Sequence, residues 1–159
     1  MATKTILIPT DFCVASLNTL KLALASYIDQ PTRVVLIYAE YPDNSITELL
    51  FYSAENRIKA LVTNEFKEAL EIIKNRFEGK LLDISIELLT MNTNGYLNNY
   101  VDANKINEIY LPKTYQLKPA KNGFNPLPIL KKAKVPVTEI NWGTDYKQSE
   151  QEQLIALFI

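Results

Sequence analysis

One stretch near the start of the chain, residues 4–24 with the sequence KTILIPTDFCVASLNTLKLAL, constrains the fold more than any other. Residues 5–8 are apolar and rich in β-branched side chains, which predicts a buried strand. Pro9 ends this strand, because proline has no N–H to donate to a sheet. Asp11 follows where a helix N-cap belongs, and leucines at helical spacing predict a helix after it. Thr10 and Asp11 therefore lie at the carboxyl end of a strand, which is the end where open α/β sheets bind ligands.

The rest of the chain repeats this alternation of strands and helices. Further strands are predicted at residues 33–39, 81–89, 106–111 and 136–140. Apolar residues at intervals of three to four predict one long helix over residues 55–77, and shorter helices are predicted within 46–52, 90–105 and 126–133. Strand–helix–strand units of this kind form parallel sheets. We therefore expect an α/β fold in which a five-stranded parallel sheet is the middle layer of a three-layer α/β/α sandwich.

The length of 159 residues favours one domain with a single core, which we assign to residues 1–142. Residues 143–159 form a C-terminal tail that begins as a polar linker and ends in the sequence LIALFI. So much apolar surface is expected to dock rather than stay in water. The sequence leaves open whether the tail packs on its own domain or on a dimer partner.

The sequence ILIPTDF, followed by a small residue and an Ala/Leu-rich helix, resembles the opening of the universal stress protein family. Residues 34–39 resemble the second strand of that family, and VPVTEI at residues 135–140 resembles its last strand. The order and spacing of the elements agree over residues 3–142. The resemblance implies an adenine-nucleotide alpha-hydrolase-like fold with the flavodoxin-like strand order 3-2-1-4-5.

Two compositional absences exclude whole classes of site. The chain contains no histidine, which excludes catalytic triads, a histidine general base and histidine-ligated zinc. Its single cysteine, Cys13, excludes an intrachain disulfide.

The net charge of −1, with both signs interspersed, disfavours a nucleic-acid partner. Without a signal sequence or an apolar run of roughly 20 residues, we expect a cytoplasmic protein that does not enter a membrane.

The segment after the fourth strand departs from the family pattern. Nucleotide-binding universal stress proteins carry Gly, two residues, Gly, nine residues and then Gly-Ser or Gly-Thr there, because glycine lets backbone amides approach phosphates. In this chain Gly123 occupies the last glycine position, but Phe124 follows it. The two earlier positions hold Pro112 and Tyr115 when the loop is aligned from the fourth strand, or Tyr110 and Lys113 when it is counted back from Gly123.

Two prolines reinforce this departure. Pro126 and Pro128 occupy the first turn of the next predicted helix, where they remove two N–H donors that a phosphate would use. We therefore expect the ATP site of the family to be disabled and no cofactor to be bound. The alternative is that ATP or AMP with Mg²⁺ still binds, because lysines such as Lys113 meet phosphates as point charges.

If nucleotide binding survives, the resemblance places it on seven residues: Pro9, Thr10, Asp11, Tyr38, Ala39, Lys113 and Gly123. Thr10 and Asp11 resemble family positions near the adenosine moiety, and Tyr38 and Ala39 resemble positions that contact the base. A structural role explains the first pair equally well, since Asp11 would cap the first helix while Thr10 completes the turn. No metal site is predicted.

Two further features favour packing over chemistry. Cys13 lies in the first helical turn, where a lowered thiol pKa would suit redox sensing, but the nearby Asp11 disfavours a thiolate and a plain small residue is expected. Several tyrosines surround the predicted strand ends and following loops, where they would fill a vacated nucleotide cavity or stack on an aromatic ligand. The tyrosines in question are Tyr38, Tyr41, Tyr52, Tyr110 and Tyr115.

These observations favour a non-catalytic universal stress protein-like module. The resemblance implies a stress-response role and a homodimer formed through the last strand, around residues 135–142, with a protein partner that the sequence does not identify. The alternative function is an adenine-nucleotide sensor with an altered phosphate loop. A nucleotide hydrolase ranks last, because its general base would have to be Asp11 or another carboxylate.

Overall fold

The computed structural model describes residues 3–42 and 53–142. Within them, five strands form one sheet in which every neighbouring pair is parallel. The strands are β1 (Lys4–Pro9), β2 (Thr32–Ala39), β3 (Leu81–Leu89), β4 (Glu108–Pro112) and β5 (Val137–Ile140). Their order across the sheet is β3-β2-β1-β4-β5, so the predicted parallel sheet and its 3-2-1-4-5 order are confirmed.

Helical segments connect the strands. They are α1 (Leu17–Leu22), which a 3₁₀ turn (Val14–Ser16) precedes and a π-helical turn (Ala23–Tyr27) extends, α2 (Ala54–Leu61), α3 (Asn64–Arg76), α4 (Asn94–Ala103) and α5 (Leu127–Leu130). The single long helix predicted over residues 55–77 is wrong. Val62 has an extended backbone, and the Thr63 hydroxyl accepts the N–H of Phe66 to start a second helix. Thr63 is a favoured N-cap residue, so the break has a local cause.

Alternate residues of the central strands face opposite helical layers. Ile6 and Ile8 of β1 lie in a core that includes α1 and α3 side chains, whereas Leu7 lies in a second core with α4 and α5. The same alternation holds in β2, where Leu36 faces the first core and Ile37 the second. Both faces of the sheet are therefore covered, which confirms the three-layer sandwich.

The end of the described chain is anchored inside the domain. The indole N–H of Trp142 donates to the Thr19 hydroxyl of α1 at 3.0 Å, and its ring stacks on Tyr115 with centroids 4.6 Å apart. The predicted tail at residues 143–159 and the predicted short helix at 46–52 lie outside the described residues. Of the helices in the described part of the chain, none has the length and apolar character needed to cross a membrane.

Candidate functional site

The turn after β1 is held by the hydroxyl group of Thr10. Its Oγ1 accepts the N–H of Phe12 at 3.2 Å and lies 2.9 Å from Oγ of Ser16, whose own hydroxyl donates to the Cys13 carbonyl at 2.7 Å. Thr10 and Ser16 are each 3% exposed, so the bond between their hydroxyl groups is shielded from water. Phe12 has a φ of 64°, an uncommon backbone for a residue with a side chain, and the turn enforces it. Thr10 therefore builds the turn, as its structural role predicts.

Asp11 does not cap the first helix, so that prediction is wrong. The N-cap position of the first helical turn is Cys13, and there is no side-chain capping hydrogen bond at that position. Asp11 Oδ1 instead accepts the N–H of Cys13 at 2.9 Å. Its Oδ2 accepts the Tyr115 hydroxyl at 2.6 Å and the Lys118 N–H at 2.9 Å. The buried carboxylate therefore holds together the turn after β1 and the distant loop after β4.

This loop, residues 113–125, runs across the carboxyl ends of β1 and β2. The Ala120 N–H donates to the Tyr38 hydroxyl at 2.9 Å. The Phe124 N–H then donates to the Ala39 carbonyl at 3.1 Å, and the Tyr41 N–H donates to Asn122 at 2.9 Å. We name this segment the crossing loop. Both predicted base-contacting residues, Tyr38 and Ala39, are bonded to it.

Gly123 serves the packing of the crossing loop. A Cβ atom at this position would lie 2.5 Å from Cβ of Pro119 and 3.1 Å from the Tyr38 hydroxyl oxygen. Only glycine lets the loop come this close to β2 and to itself. The residue that the family pattern marks as a phosphate-loop glycine therefore has a local structural explanation here.

An ion pair with a buried carboxylate flanks the crossing loop, and sequence reasoning missed it. Glu40 directly follows β2, is 3% exposed and receives two hydrogen bonds from Arg57 of α2, at 2.7 and 2.5 Å. Such a two-point contact between a guanidinium and a carboxylate fixes orientation as well as charge. The only sequence signal was an acidic residue directly after a strand.

Environment suppresses ionisation of the thiol and the phenol in this region. Burial, and next the Asp11 carboxylate, raise the pKa of the Cys13 thiol. Burial also raises the pKa of the Tyr38 hydroxyl. Both groups are therefore neutral at pH 7, which agrees with the prediction that Cys13 is a small packing residue.

The tyrosines divide into two groups. Tyr38 and Tyr115 are bonded to the site as described, and Tyr41 packs on Phe124 with ring centroids 4.5 Å apart. Tyr110 is elsewhere, because its hydroxyl donates to Glu108 at 2.6 Å and its ring meets Tyr27. Tyr52 lies outside the described residues.

A cleft of about 460 Å³ lies between the first residues of the crossing loop and α5. We name it the α5 cleft, and its lining residues are Lys113, Thr114, Tyr115, Gln116, Leu117, Asn125, Leu127, Pro128 and Lys131. Tyr115 is shared between the cleft and the Asp11 site, since it is among the residues that line the cleft and its hydroxyl donates to the carboxylate.

The structure thus brings together six of the seven predicted site residues, namely Pro9, Thr10, Asp11, Tyr38, Ala39 and Gly123. They meet because β1 and β2 are neighbours that end at the same edge of the sheet, where Pro9 pairs with Ile37. The seventh, Lys113, lines the α5 cleft instead. Among residues 3–42 and 53–142, no cluster of three or more acidic or cysteine side chains is arranged to hold a metal ion.

Comparison with known proteins identifies the fold. Neither a protein-family model nor a curated protein matches the sequence. Among solved structures, the hypothetical protein PH0823 matches with a TM-score of 0.53 and 16% identity, over 87% of this chain and 96% of that one. The hypothetical protein MJ0577 matches with a TM-score of 0.51 and 21% identity, over 87% and 95%. The universal stress protein UspA from Lactobacillus plantarum matches with a TM-score of 0.51 and 16% identity, over 86% and 97%. The chain therefore has the α/β fold of the universal stress proteins.

Proposed function

We propose that the chain is a non-catalytic, cytoplasmic, homodimeric interaction module of the stress response that does not bind ATP in the usual way. One observation carries this proposal: the Asp11 carboxylate and the Tyr38 hydroxyl, which the resemblance assigns to adenosine, are bonded to the crossing loop. A nucleoside would have to break these bonds before it reached either group. The loop thereby takes the place of the ligand.

The start of α5 supports the same proposal. Pro126 and Pro128 have no N–H, and the Leu127 N–H between them donates to the Asn125 side chain at 3.1 Å. Positions 126–128 therefore offer no free N–H to a phosphate. The residues present do not fit the triphosphate of a nucleotide, and we derive no reaction step through one.

Thermal unfolding with and without millimolar ATP or AMP and Mg²⁺ tests the proposal. We expect no rise in Tm and no phosphate release from ATP above background. A ligand at one hundred times its Kd would stabilise the fold by about 2.7 kcal/mol, which this measurement detects easily. A rise of several degrees that disappears in Asp11→Asn would overturn the proposal, and a known ATP-binding universal stress protein provides the positive control.

A nucleotide sensor with an altered loop is the second candidate, and the local charge favours it. Residues 113–134 contain six lysines and no acidic residue, in a chain whose net charge is −1. In such a sensor the crossing loop would open, so Tyr115→Phe, which loosens the loop, should tighten AMP binding. In a module without a nucleotide site, the same variant should show no AMP binding. Calorimetric titration of AMP into the variant distinguishes the two functions.

The proposed dimer uses the free edge of β5. Within the described residues β5 pairs only with β4. Val137 at the start of β5 is half-buried, whereas Ile140 at its end is buried. Ile140 and Trp142 are buried inside the protomer, so the interface falls on the backbone of Val137–Ile140 and on the half-buried Val135 rather than on the whole predicted segment 135–142.

A proline on the free edge tests the dimer. Pro136 and Ile140 of this region direct their carbonyls to β4, so the alternation of a strand turns the Glu139 N–H outwards. Glu139→Pro removes that donor and should shift the protein to monomers in light-scattering measurements. Glu139→Gln is the matched control, because it removes only the ion pair with Lys131. A dimer that survives the proline would refute pairing through β5.

A further inference from the structure

We propose that residues 149–159 of the chain bind in the α5 cleft of their own domain. The sequence SEQEQLIALFI combines acidic and apolar residues. The lining of the cleft is mostly polar and includes two lysines, together with the apolar side chains of Leu117, Leu127 and Pro128. This proposal is more specific than the expectation that the tail docks, because it assigns the tail to one cleft. It holds whether or not the protein binds a nucleotide.

Charge complementarity is the first argument. Of the six lysines in residues 113–134, Lys131 pairs with Glu139 at 3.4 Å and Lys134 pairs with Asp102, while the others have no acidic partner in the described part of the chain. Residues 143–159 contain three acidic residues and one lysine, a net charge of −2. A negative segment placed along this positive surface lowers the repulsion among the lysines.

Apolar surface is the second argument. Leu117 and Leu127 are only half-buried in the cleft walls, next to the Tyr115 ring and Pro128. A volume of about 460 Å³ lies within the range of roughly 300–1,000 Å³ that ligand pockets have in proteins. The side chains of LIALFI would remove their own apolar surface from water, and with it the smaller apolar part of the cleft lining at Leu117, Leu127 and Pro128.

Position is the third argument. The described chain ends at Trp142, whose ring stacks 4.6 Å from that of Tyr115, and Tyr115 is a wall of the cleft. Residues 143–148 separate this point from residue 149, and an extended chain spans at most about 3.5 Å per residue. These residues can span about 20 Å. Because the linker starts next to Tyr115, which lines the cleft, this length is enough to bring residue 149 to the cleft.

Zero-length carbodiimide cross-linking of the full chain, read by mass spectrometry, tests the proposal. This reagent joins a lysine to a carboxylate in contact with it, so Glu150 and Glu152 should be recovered on Lys113 or Lys131. The pair of Lys134 with Asp102 should cross-link in every sample and serves as the internal positive control. Mixing ¹⁴N- and ¹⁵N-labelled chains shows whether both peptides come from one chain, as we expect.

Two matched variants make the test specific. Lys113→Glu reverses a cleft charge and should lower the yield of tail cross-links at Lys131 at least fivefold. Lys132→Glu makes the same change at an exposed neighbour that does not line the cleft, and should leave the yield unchanged. The proposal is overturned by tail cross-links that avoid both cleft lysines, by equal effects of the two variants, or by mixed-isotope pairs that make up about half of the cross-links, which is the share that contacts between chains give in an equal mixture. None of these outcomes depends on the nucleotide titrations above.

Discussion

Removal of one hydroxyl group, in Tyr115→Phe, tests whether Asp11 holds the crossing loop. The Tyr115 hydroxyl donates to Asp11 Oδ2 at 2.6 Å, and Asp11 is 7% exposed. The ring itself stays in place, since it stacks on Trp142. The substitution therefore isolates one hydrogen bond to a buried carboxylate.

Hydrogen bonds to charged groups contribute about 1.5–3 kcal/mol to stability. We expect Tyr115→Phe to lower the free energy of unfolding by about 2 kcal/mol. For a domain of this size, that loss corresponds to a fall in Tm of roughly 4–8 °C. Urea denaturation followed by circular dichroism gives the first value, and fluorescence of Trp142, the one tryptophan of the chain, gives an independent curve.

Tyr41→Phe is the matched control at the same end of the sheet. Its side chain is 45% exposed, so loss of its hydroxyl should change stability by less than about 0.5 kcal/mol. Hydrogen exchange adds a local measurement, because the amides of Lys118 and Ala120 should exchange faster once the loop is loosened. Equal stability of Tyr115→Phe and the wild type, with unchanged exchange, would refute the idea that Asp11 fastens the loop.

Three further changes have an expected direction of effect on stability or on thiol reactivity. Gly123→Ala places a Cβ within 2.5 Å of its neighbour and should cost about 1–3 kcal/mol in urea denaturation, whereas Gly95→Ala in α4, with open space around it, should stabilise by about 0.5–1 kcal/mol. Because the pKa of the Cys13 thiol is raised, its reaction with Ellman's reagent at pH 8 should be slower than that of the unfolded chain. The rate should increase as pH rises, and it should be higher in Asp11→Asn than in the wild type. Arg57→Met leaves a buried carboxylate unpaired and should destabilise by about 2–3 kcal/mol, measured by the same denaturation, with Lys59→Met on the exposed side of α2 as its comparison.

The alternation of strands and helices was predictable because its signals are local, whereas the strand order came from the family resemblance. A β-branched run closed by Pro9 and followed by a turn specifies a strand and the start of a helix, and the remaining strands repeat the pattern. The break at Val62 was missed because the apolar stripe continues through both α2 and α3 in the sequence. Thr63 was the available signal, since a β-branched residue with a capping hydroxyl inside a helical pattern marks a helix start.

The candidate site was predictable only in part, because half of its bonds are long-range. Thr10, Asp11 and Tyr38 were found since the carboxyl ends of neighbouring parallel strands converge. The groups that bond to Asp11 lie 104 and 107 residues from it, and the one that bonds to Tyr38 lies 82 residues away. Two of these three groups are backbone amides. Every residue except proline has a backbone N–H, so the sequence carries no signal that a particular one will donate to a carboxylate far along the chain.

The bonds of the crossing loop also set how strongly any nucleotide could bind. Opening the loop at Asp11 and Tyr38 breaks three hydrogen bonds, two of them to a carboxylate, which costs about 4 kcal/mol at ordinary values. Since about 1.4 kcal/mol is a factor of ten, the open state would be populated at about one part in a thousand, and the apparent affinity would fall by the same factor. A site with an intrinsic Kd of about 1 μM would then bind with an apparent Kd near 1 mM. At 1 mM ligand such a site raises stability by only about 0.4 kcal/mol, so a large shift in Tm requires a ligand that the closed loop admits.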